Sequence, residues 1–304
     1  METFTEKKTI AAVVVTFNRL ELLKDAIKAL RIQTLRPEII IVNNGSTDGT
    51  TEYLATVDDI RVINQANVGG AGGFYTGMKY ACEKGFDYVW VMDDDVIPAS
   101  DALETLYNDY SYLSLTEKVG YLCSRVLSTT DDVANVPIID YRPNTTGYPD
   151  WGKYLDKGLI KTESATFVSV FIPTEVIFKV GLPYQEFFIW GDDTEFTRRI
   201  TNVNYTAYLS GKSEIIHRRV GGALDIRTFK DKNRIKMYRF SVRNNIFILR
   251  KFDSKRALIK QLYIYSKIAI KQLFLCQFIK TKVIITGIFN GFFFYPKLRY
   301  PAKN

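Results

Sequence analysis

Short apolar runs alternate with segments of helical spacing along the first 100 residues of the chain. Each run has four to six residues, the length expected of a strand that is buried on both faces of a sheet. The runs occupy 10–15, 38–42, 60–63 and 88–92. Between the first two, apolar residues recur three or four positions apart, as in a helix that Pro37 ends. This alternation predicts an α/β fold with a mostly parallel sheet flanked by helices.

The pattern continues less regularly after the fourth run. A helix is predicted near 100–112, a strand near 119–126, a strand over 165–172 and a helix over 174–181. Residues 130–163 contain six scattered Gly and Pro residues and are predicted to form a long loop. A loop of that length in a compact domain usually serves as a lid or a binding surface.

The C-terminal part of the chain differs from the rest in charge. Residues 226–304 contain 19 Lys and Arg against two acidic residues, which gives +17, whereas residues 1–225 carry −9. Basic residues alternate there with apolar ones at helical spacing, as in helices that lie at a membrane surface. We therefore expect two units, a catalytic domain over 1–225 and a basic, amphipathic helical region over 226–304. The expected partner is an anionic membrane surface. Packing on the domain or on a second copy, as a homo-oligomer, is the alternative, and nucleic acid is disfavoured.

Other features of the sequence narrow the class of protein. The three cysteines, Cys82, Cys123 and Cys276, are far apart and lack metal-ligand spacing, so a disulfide framework or zinc cluster is not expected. The polar N-terminus lacks the apolar core of a signal peptide. No uncharged stretch reaches the roughly 18 residues of a membrane span. The expectation is a cytoplasmic protein, peripheral at the inner face of the membrane.

The acidic triplet Asp93-Asp94-Asp95 directly follows the fourth apolar run. Ligands of open α/β sheets bind beyond the carboxyl ends of the strands. Three adjacent carboxylates repel one another, and hard divalent cations prefer oxygen ligands and bridge them to phosphates. The triplet therefore predicts a metal site that receives a phosphate-bearing ligand. The alternative is a solvated acidic loop.

A glycine cluster begins with Gly69 and Gly70 and opens a predicted helix. It would let the backbone approach a ligand and would present amide groups to an anion. The cluster matches neither the dinucleotide fingerprint nor the P-loop, so a dehydrogenase or P-loop ATPase is disfavoured. A tight turn is the alternative.

Polar and aromatic residues follow the first two predicted strands. The ring of Phe17 could stack on a flat base, with Thr16 and Asn18 as polar edges, and Asn44 could bond the edge of that base. Phe17 as a core residue and Asn44 in an Asx-turn are the alternatives. Because these residues stand at adjacent strand ends, they predict a nucleotide pocket.

Two further candidates for chemistry lie later in the chain. Asp192 and Asp193 follow Trp190 and stand where a helix begins, so its dipole helps to keep them ionised for general-base work. The alternative is an acidic helix cap that pairs with nearby arginines. The single histidine of the chain, His217, follows an apolar strand and is a candidate metal ligand.

Taken together, these motifs resemble the inverting GT-A glycosyltransferases of family 2. They are V-V-V-T-F-N, I-V-N-N-G-S-T-D-G, G-G-A-G-G-F, M-D-D-D, W-G-D-D-T-E-F and the later histidine, and they span about residues 9–250. The triplet, the glycine segment and V-R-N-N at 242–245 resemble bacterial galactofuranosyltransferases most, with rhamnosyltransferases as close relatives.

The resemblance implies roles for the candidate residues. Phe17 and Asn44 would seat uracil. Asp93 and Asp95 would reach the metal and diphosphate, with His217 as a further metal ligand, and Asp93 or Asp94 would touch ribose or sugar. Asp193 would be the catalytic base, and Trp190 would lie next to the acceptor sugar. One departure is that Asn43-Asn44 stands where many members have two aspartates. It removes charge from the base pocket.

The function that follows is a hexosyl transfer dependent on Mn²⁺ or Mg²⁺. The expected donor is UDP-galactofuranose, and the expected acceptor is a growing, lipid-linked polysaccharide of the cell surface. A rhamnosyltransferase that uses dTDP-rhamnose and a metal-dependent nucleotidyltransferase remain as alternatives.

Overall fold

The computed structural model describes residues 8–219 and 224–303. The predicted polar N-terminus therefore lies, up to Lys7, outside the described residues. The strands are β1 (Ile10–Thr16), β2 (Glu38–Asn43), β3 (Arg61–Asn64), β4 (Tyr88–Asp93), β5 (Val96–Pro98), β6 (Val119–Leu127), β7 (Val133–Ala134), β8 (Ile138–Ile139), β9 (Leu159–Ser164), β10 (Val170–Pro173) and β11 (Thr206–His217). The helices are α1 (Leu20–Arg31), α2 (Thr50–Leu54), α3 (Gly69–Glu83), α4 (Ala102–Leu113), α5 (Thr174–Val180), α6 (Asp192–Thr201), α7 (Lys232–Phe252), α8 (Lys255–Phe274) and α9 (Phe278–Phe292), with short 3₁₀ turns at Leu155–Lys157 and Gln185–Phe187.

One mixed sheet organises the N-terminal 217 residues. Its strands lie in the order β3-β2-β1-β4-β10-β6-β11-β9-β8, and of the seven strands from β3 to β11 only β10 runs against the others. The carboxyl ends of β1, β2, β4, β6 and β11 therefore meet at one edge. The predicted α/β class with a mostly parallel, helix-flanked sheet is confirmed.

Strand β11 is bent so that its last residues reach this edge. Its parallel register with β6 shifts between Ser210 and Glu214, and beyond the shift it pairs antiparallel with β5. A bulge of this kind re-aims the residues that follow it. As a result, His217 pairs with Val96, the residue directly after the acidic triplet.

Apolar side chains fill both faces of the sheet. One cluster, centred on Trp90 and Phe171, lies under α1 and α4, and the other, centred on Met78 and Tyr121, lies under α3, α5 and α6. Strands buried on both faces explain why the first runs of the sequence are continuously apolar.

The C-terminal helices α7, α8 and α9 form their own apolar cluster. They also bond to the sheet domain, because Lys251 of α7 donates to Glu195 of α6 at 2.6 Å and Arg198 pairs with Asp253 at 2.7 Å. Whether 1–225 and 226–304 are separate domains stays a prediction. None of the described helices combines the length and apolar composition needed to cross a bilayer.

Two expectations for the middle of the chain are wrong. Only 170–172 of the strand predicted over 165–172 belong to a strand, β10, and residues 165–169 form a turn after β9, in which Ser169 accepts a hydrogen bond from the Trp90 indole at 2.9 Å. The segment 130–163 is not one loop, since β7, β8 and most of β9 extend the sheet there.

We expect Glu195→Gln to destabilise the protein by about 3–5 kcal/mol, because a buried ion pair that loses one partner leaves an uncompensated charge. Glu195 is fully buried and accepts two hydrogen bonds from Arg199, itself buried, besides the one from Lys251. The control is Glu21→Gln, whose pair with Lys24 is exposed and should be worth less than about 1 kcal/mol. Urea denaturation measures both, and equal midpoints for the two variants would contradict the buried network.

Candidate functional site

A cavity of about 430 Å³ opens at the edge where the parallel strands end. We call it the strand-end cavity. Among the predicted site residues, those that line it are Gly70, Asp93, Asp95, Trp190, Asp192, Asp193 and His217. Thus two acidic sets that lie about 100 residues apart in the chain face one space.

His217 is held next to Asp95 by the pairing of β11 with β5. Its Nε2 lies 3.1 Å from Asp95 Oδ1, and its Nδ1 lies 2.8 Å from the Oδ1 of Asn135. The amide oxygen of Asn135 can accept a hydrogen bond from Nδ1, and Nε2 is the nitrogen that faces the acids. This orientation is the one found where a histidine ligates a metal and a second group fixes its ring.

Arg19 neutralises part of the acidic triplet. One of its terminal nitrogens donates to Asp95 Oδ2 at 2.8 Å and to Asp94 Oδ1 at 3.1 Å. Asp94 also accepts a hydrogen bond from Thr16 at 2.8 Å. Asp94 and Thr16 are buried beside the cavity and do not line it, so Asp94 serves here to hold the arginine.

The three carboxyls differ in how readily they hold a proton. Burial, reinforced by the charges of Asp95 and Asp94, raises the pKa of Asp93 well above its ordinary value. Burial also raises the pKa of Asp94 to about 6, although Arg19 opposes the rise. For Asp95, burial raises the pKa, but the hydrogen bond and charge of His217 and the charge of Arg19 outweigh it and hold the pKa below its usual range. Of the three carboxyls, Asp93 is therefore the one that most needs a nearby cation in order to ionise.

The donor set of this cluster fits a divalent cation. Asp93, Asp95 and His217 each offer one ligand atom, and these atoms lie within 4.8 Å of one another. Two carboxylate oxygens and one imidazole nitrogen suit Mn²⁺, and a bound cation would favour the ionised form of Asp93 despite its burial.

The second acidic pair begins α6. Burial raises the pKa of Asp192 to about 8, with the charge of Asp193 adding to the rise. Burial also raises the pKa of Asp193, although the backbone and hydroxyl of Thr194 donate to its Oδ1. Asp192 is buried and Asp193 is half-buried, and carboxyls with raised pKa values suit proton transfer near neutral pH.

The loop before α6 has an unusual backbone that α7 supports. Phe188, Trp190 and Gly191 have positive φ angles of 65°, 65° and 94°. The fully buried side chain of Asn244 donates to the carbonyl oxygens of Phe187, Ile189 and Trp190 at 2.7–3.1 Å. Strained conformations persist where the surroundings over-determine them. One amide thus sets the position of Trp190 and of the aspartates that follow it.

The two predicted glycines have different environments. A Cβ on Gly69 would lie 2.0 Å from the carbonyl oxygen of Phe188, so close packing against the loop before α6 requires glycine there. A Cβ on Gly70 would meet nothing within 4 Å, and Gly70 faces the cavity. Gly70 is the one placed to approach a ligand.

The residues predicted to seat a base lie outside the cavity lining. The ring of Phe17 is exposed at the rim of the sheet, 43% accessible. Asn18 accepts a hydrogen bond from the Thr47 backbone at 2.7 Å. Asn44 is buried, donates to the Gly69 carbonyl and accepts from Gln65 and Val68. The amide of Asn44 is thereby engaged within the protein. Phe17, which is exposed, is the residue of this group that stays free to contact a base.

Sequence reasoning missed three residues of the site. Arg19 directly follows the T-F-N motif, and its place three residues beyond the end of β1 was the available signal. Asn135 lies in the segment expected to be a loop, and Asn244 lies on a helix more than 50 residues after Trp190. For Asn244 the sequence offered only the V-R-N-N resemblance, and for Asn135 it offered no signal.

Several known proteins resemble this chain in sequence. The model of the family described as glycosyl transferase family 2 matches residues 11–172, more than half of the chain. Galactofuranosyltransferase GlfT1 of Mycolicibacterium smegmatis is 29% identical over 205 residues, which are 64% of this chain and 66% of that protein. GlfT1 of Mycobacterium tuberculosis H37Rv is 30% identical over 206 residues, 64% of each. The matched region thus spans just under two thirds of these curated relatives.

Further matches are more distant. The cholesterol galactosyltransferase of Borreliella burgdorferi is 30% identical over 174 residues, 55% of this chain and 46% of that protein. The crystal structure of GalNAc-T7 with UDP, GalNAc and Mn²⁺ superposes with a TM-score of 0.56 at 14% identity, over 79% of this chain and 50% of that one. At that identity the likeness concerns the fold. With the family match over more than half its length, the chain belongs to glycosyl transferase family 2 and is a glycosyltransferase of GT-A-like fold.

Proposed function

We propose that the protein transfers galactofuranose from UDP-galactofuranose, with inversion, to a hydroxyl of a growing lipid-linked saccharide. The observation that supports this most is that the metal-type set and the separate pair Asp192–Asp193 face one cavity. The likeness to the two GlfT1 proteins favours the donor.

The reaction would proceed as one displacement. Asp193 takes the proton of the acceptor hydroxyl while its oxygen forms a bond to the anomeric carbon. The bond from that carbon to the diphosphate oxygen breaks, and its electron pair leaves with UDP. Attack from the face opposite the leaving group inverts the configuration, so no sugar–enzyme intermediate is required.

The residues of the triplet would stabilise the leaving group. Mn²⁺ or Mg²⁺ held by Asp93, Asp95 and His217 would neutralise charge that develops on the diphosphate. Arg19, which now bonds Asp94 and Asp95, is close enough to contribute a second positive charge. Trp190, at the wall of the cavity, would flank the acceptor sugar.

The basic helical region would hold the enzyme at an anionic membrane. The corner between α8 and α9, residues 273–279, exposes Leu273, Phe274, Leu275, Phe278 and Ile279. Lys267 and Lys271 are exposed on α8, which leads to this corner. Apolar side chains that enter the headgroup region beside lysines that meet anionic lipids are typical of peripheral binding.

A donor panel tests the proposed substrate. With Mn²⁺ present, we expect turnover of UDP-galactofuranose to exceed that of UDP-galactopyranose, UDP-glucose and dTDP-rhamnose by about 10-fold or more, because pocket contacts separate such sugars by only a few kcal/mol. Release of the nucleoside diphosphate measures each donor. Turnover of dTDP-rhamnose alone would contradict the donor and leave the reaction class intact.

Asp193→Asn should lower transfer by about 10²- to 10⁴-fold, because it removes the general base and keeps the volume of the side chain. Donor affinity, measured by calorimetry, should change little. The matched variant is Asp192→Asn; if it loses more transfer than Asp193→Asn, the assignment of the base is reversed.

The pH profile of the wild type gives a second measurement for the same assignment. Because burial raises the pKa of both carboxyls, to about 8 for Asp192, transfer should increase as the pH rises toward 8. The effect on stability has the opposite sign. Protonated, buried carboxyls stabilise the folded state below the ordinary pKa of aspartate, and this contribution is lost as the pH rises through about 8. A flat transfer profile between pH 5 and 9 would contradict a base in this environment.

Phe274→Ser combined with Phe278→Ser should weaken binding to vesicles that contain anionic lipid by 10-fold or more, because burying one such ring is worth about 1.5–3 kcal/mol. Flotation of vesicles measures the bound fraction. The control, Leu115→Ser with Tyr148→Ser, changes exposed apolar residues on the sheet domain and should leave binding unchanged. A change in oligomeric state with unchanged vesicle binding would identify a second copy as the partner of the corner.

A further inference from the structure

Two more cavities lie beyond the strand-end cavity, along the C-terminal helices. The first has a volume of about 450 Å³ and shares Trp190, Gly191 and Leu224 with the strand-end cavity. We call it the middle cavity. The second has a volume of about 890 Å³ and shares Arg227 with the middle cavity. We call it the basic cavity. The three spaces thus follow one another with common walls.

The middle cavity has the lining of a saccharide site. Hydroxyl, amide and aromatic groups come from Tyr238, Ser241, Asn245, Gln261 and Tyr265. The charged groups among its described lining, Asp225 and Arg227, pair with each other at 2.6 Å. An uncharged, hydroxylated ligand suits such a surface, since each hydroxyl can donate and accept.

The middle cavity also lies next to the proposed base. Thr194, whose backbone and hydroxyl donate to Asp193, is part of its lining. A saccharide in the middle cavity could therefore extend past Trp190 and present its terminal hydroxyl to Asp193.

The basic cavity has the charge of an anion site. Arg227, Lys230, Lys271 and Lys280 line it, and no Asp or Glu does so among the described residues. Lys280 is 7% exposed, and the hydrogen bond that its ammonium makes, at 3.3 Å, goes to the carbonyl oxygen of Arg227. Asp225 feels the charge of Lys280, but its carboxylate is engaged by the Arg227 guanidinium.

A buried ammonium of this kind is costly unless an anion completes its shell. Phosphate oxygens are strong acceptors for lysine, and a phosphate could contact several of these cations at once. The basic cavity therefore fits a phosphoryl group better than an uncharged ligand.

The far wall of the basic cavity leads to the apolar corner. Leu275 and Gln277, which belong to the corner 273–279, line it. From the strand-end cavity outward, the surface thus offers a place for a saccharide, then for an anion, then for an apolar chain.

We infer that the middle and basic cavities together bind the acceptor as a saccharide joined through a phosphate or diphosphate to a lipid. The saccharide occupies the middle cavity, the phosphoryl group contacts Lys271 and Lys280 in the basic cavity, and the lipid leaves at the α8–α9 corner. This assignment rests on the proposed transferase function and adds to it the part of the acceptor that the enzyme recognises.

The test compares two acceptors that share one saccharide. One carries it on a short-chain prenyl diphosphate, and the other carries it as an uncharged alkyl glycoside. We expect Lys280→Gln and Lys271→Gln each to lower kcat/KM for the phosphorylated acceptor by about 10-fold or more, because each removes a charge-assisted hydrogen bond. Transfer to the glycoside and hydrolysis of the donor should stay within about two-fold of the wild type.

Two controls separate charge from structure. Lys282→Gln removes an exposed lysine two residues along the same helix, outside the basic cavity, and should behave as the wild type. Lys280→Arg, which keeps the charge, should recover most of the activity lost in Lys280→Gln. If the buried Lys280 variants do not fold, as judged by thermal denaturation, the exposed Lys271 variant carries the test.

A binding measurement makes the inference independent of turnover. Calorimetry with inorganic pyrophosphate, with the donor site saturated by UDP and Mn²⁺, should show weaker binding for Lys271→Gln than for Lys282→Gln. If the wild type turns over no nucleotide-sugar but this difference holds, the proposed function fails and the anion site stands.

Equal loss on the phosphorylated and uncharged acceptors would overturn the assignment. So would unchanged acceptor kinetics with reduced binding to anionic vesicles, because that result would make the cavity a site for bulk lipid headgroups.

Discussion

The burial of several carboxylates at one edge of the sheet is the constraint on which the site depends. The end of β4 brings Asp93, Asp94 and Asp95 to this edge, and Asp94 and Asp95 are buried there. Like charges in such a place cannot all be ionised unless cations compensate them. Arg19 supplies part of that compensation from the chain itself, and a bound cation would allow Asp93, whose pKa burial raises, to ionise as well.

The second half of the site depends on α7 as much as on the sheet. The backbone around Trp190 departs from ordinary conformations, and Asn244 holds it by three carbonyl contacts. A helix of the basic region thus fixes the start of α6, where the proposed base stands. The charge asymmetry of the chain suggested two units, 1–225 and 226–304. These hydrogen bonds make the backbone before α6, in the first unit, depend on α7 of the second.

Much of this arrangement could be predicted from the sequence, because residues at the carboxyl ends of parallel strands meet at one edge of the sheet. The acidic triplet, Trp190 and Asp193 each follow or precede a recognisable element, so their meeting at one edge needed only the strand order. Arg19 and Asn135 could not be predicted in the same way, because their roles depend on side-chain direction and on the path of a segment with little periodicity. The turn over 165–169 was missed because an apolar run looks the same whether it forms a strand or a turn, and the bond between Trp90 and Ser169 is not visible in it. The engagement of Asn44 within the protein likewise followed from loop packing rather than from its residue type.

The close approach at Gly69 links the proposed donor side of the cavity to the proposed acceptor side. There the first turn of α3 touches the backbone of Phe188, and the Ala71 amide donates to the same carbonyl at 3.2 Å. The loop that bears Trp190 therefore packs directly against α3 and is hydrogen-bonded to it. An engineer who wished to widen the pocket for another sugar could not shift one wall alone, since the opposite wall would move with it. Changing the specificity of this scaffold for one substrate would thus require re-fitting the other as well.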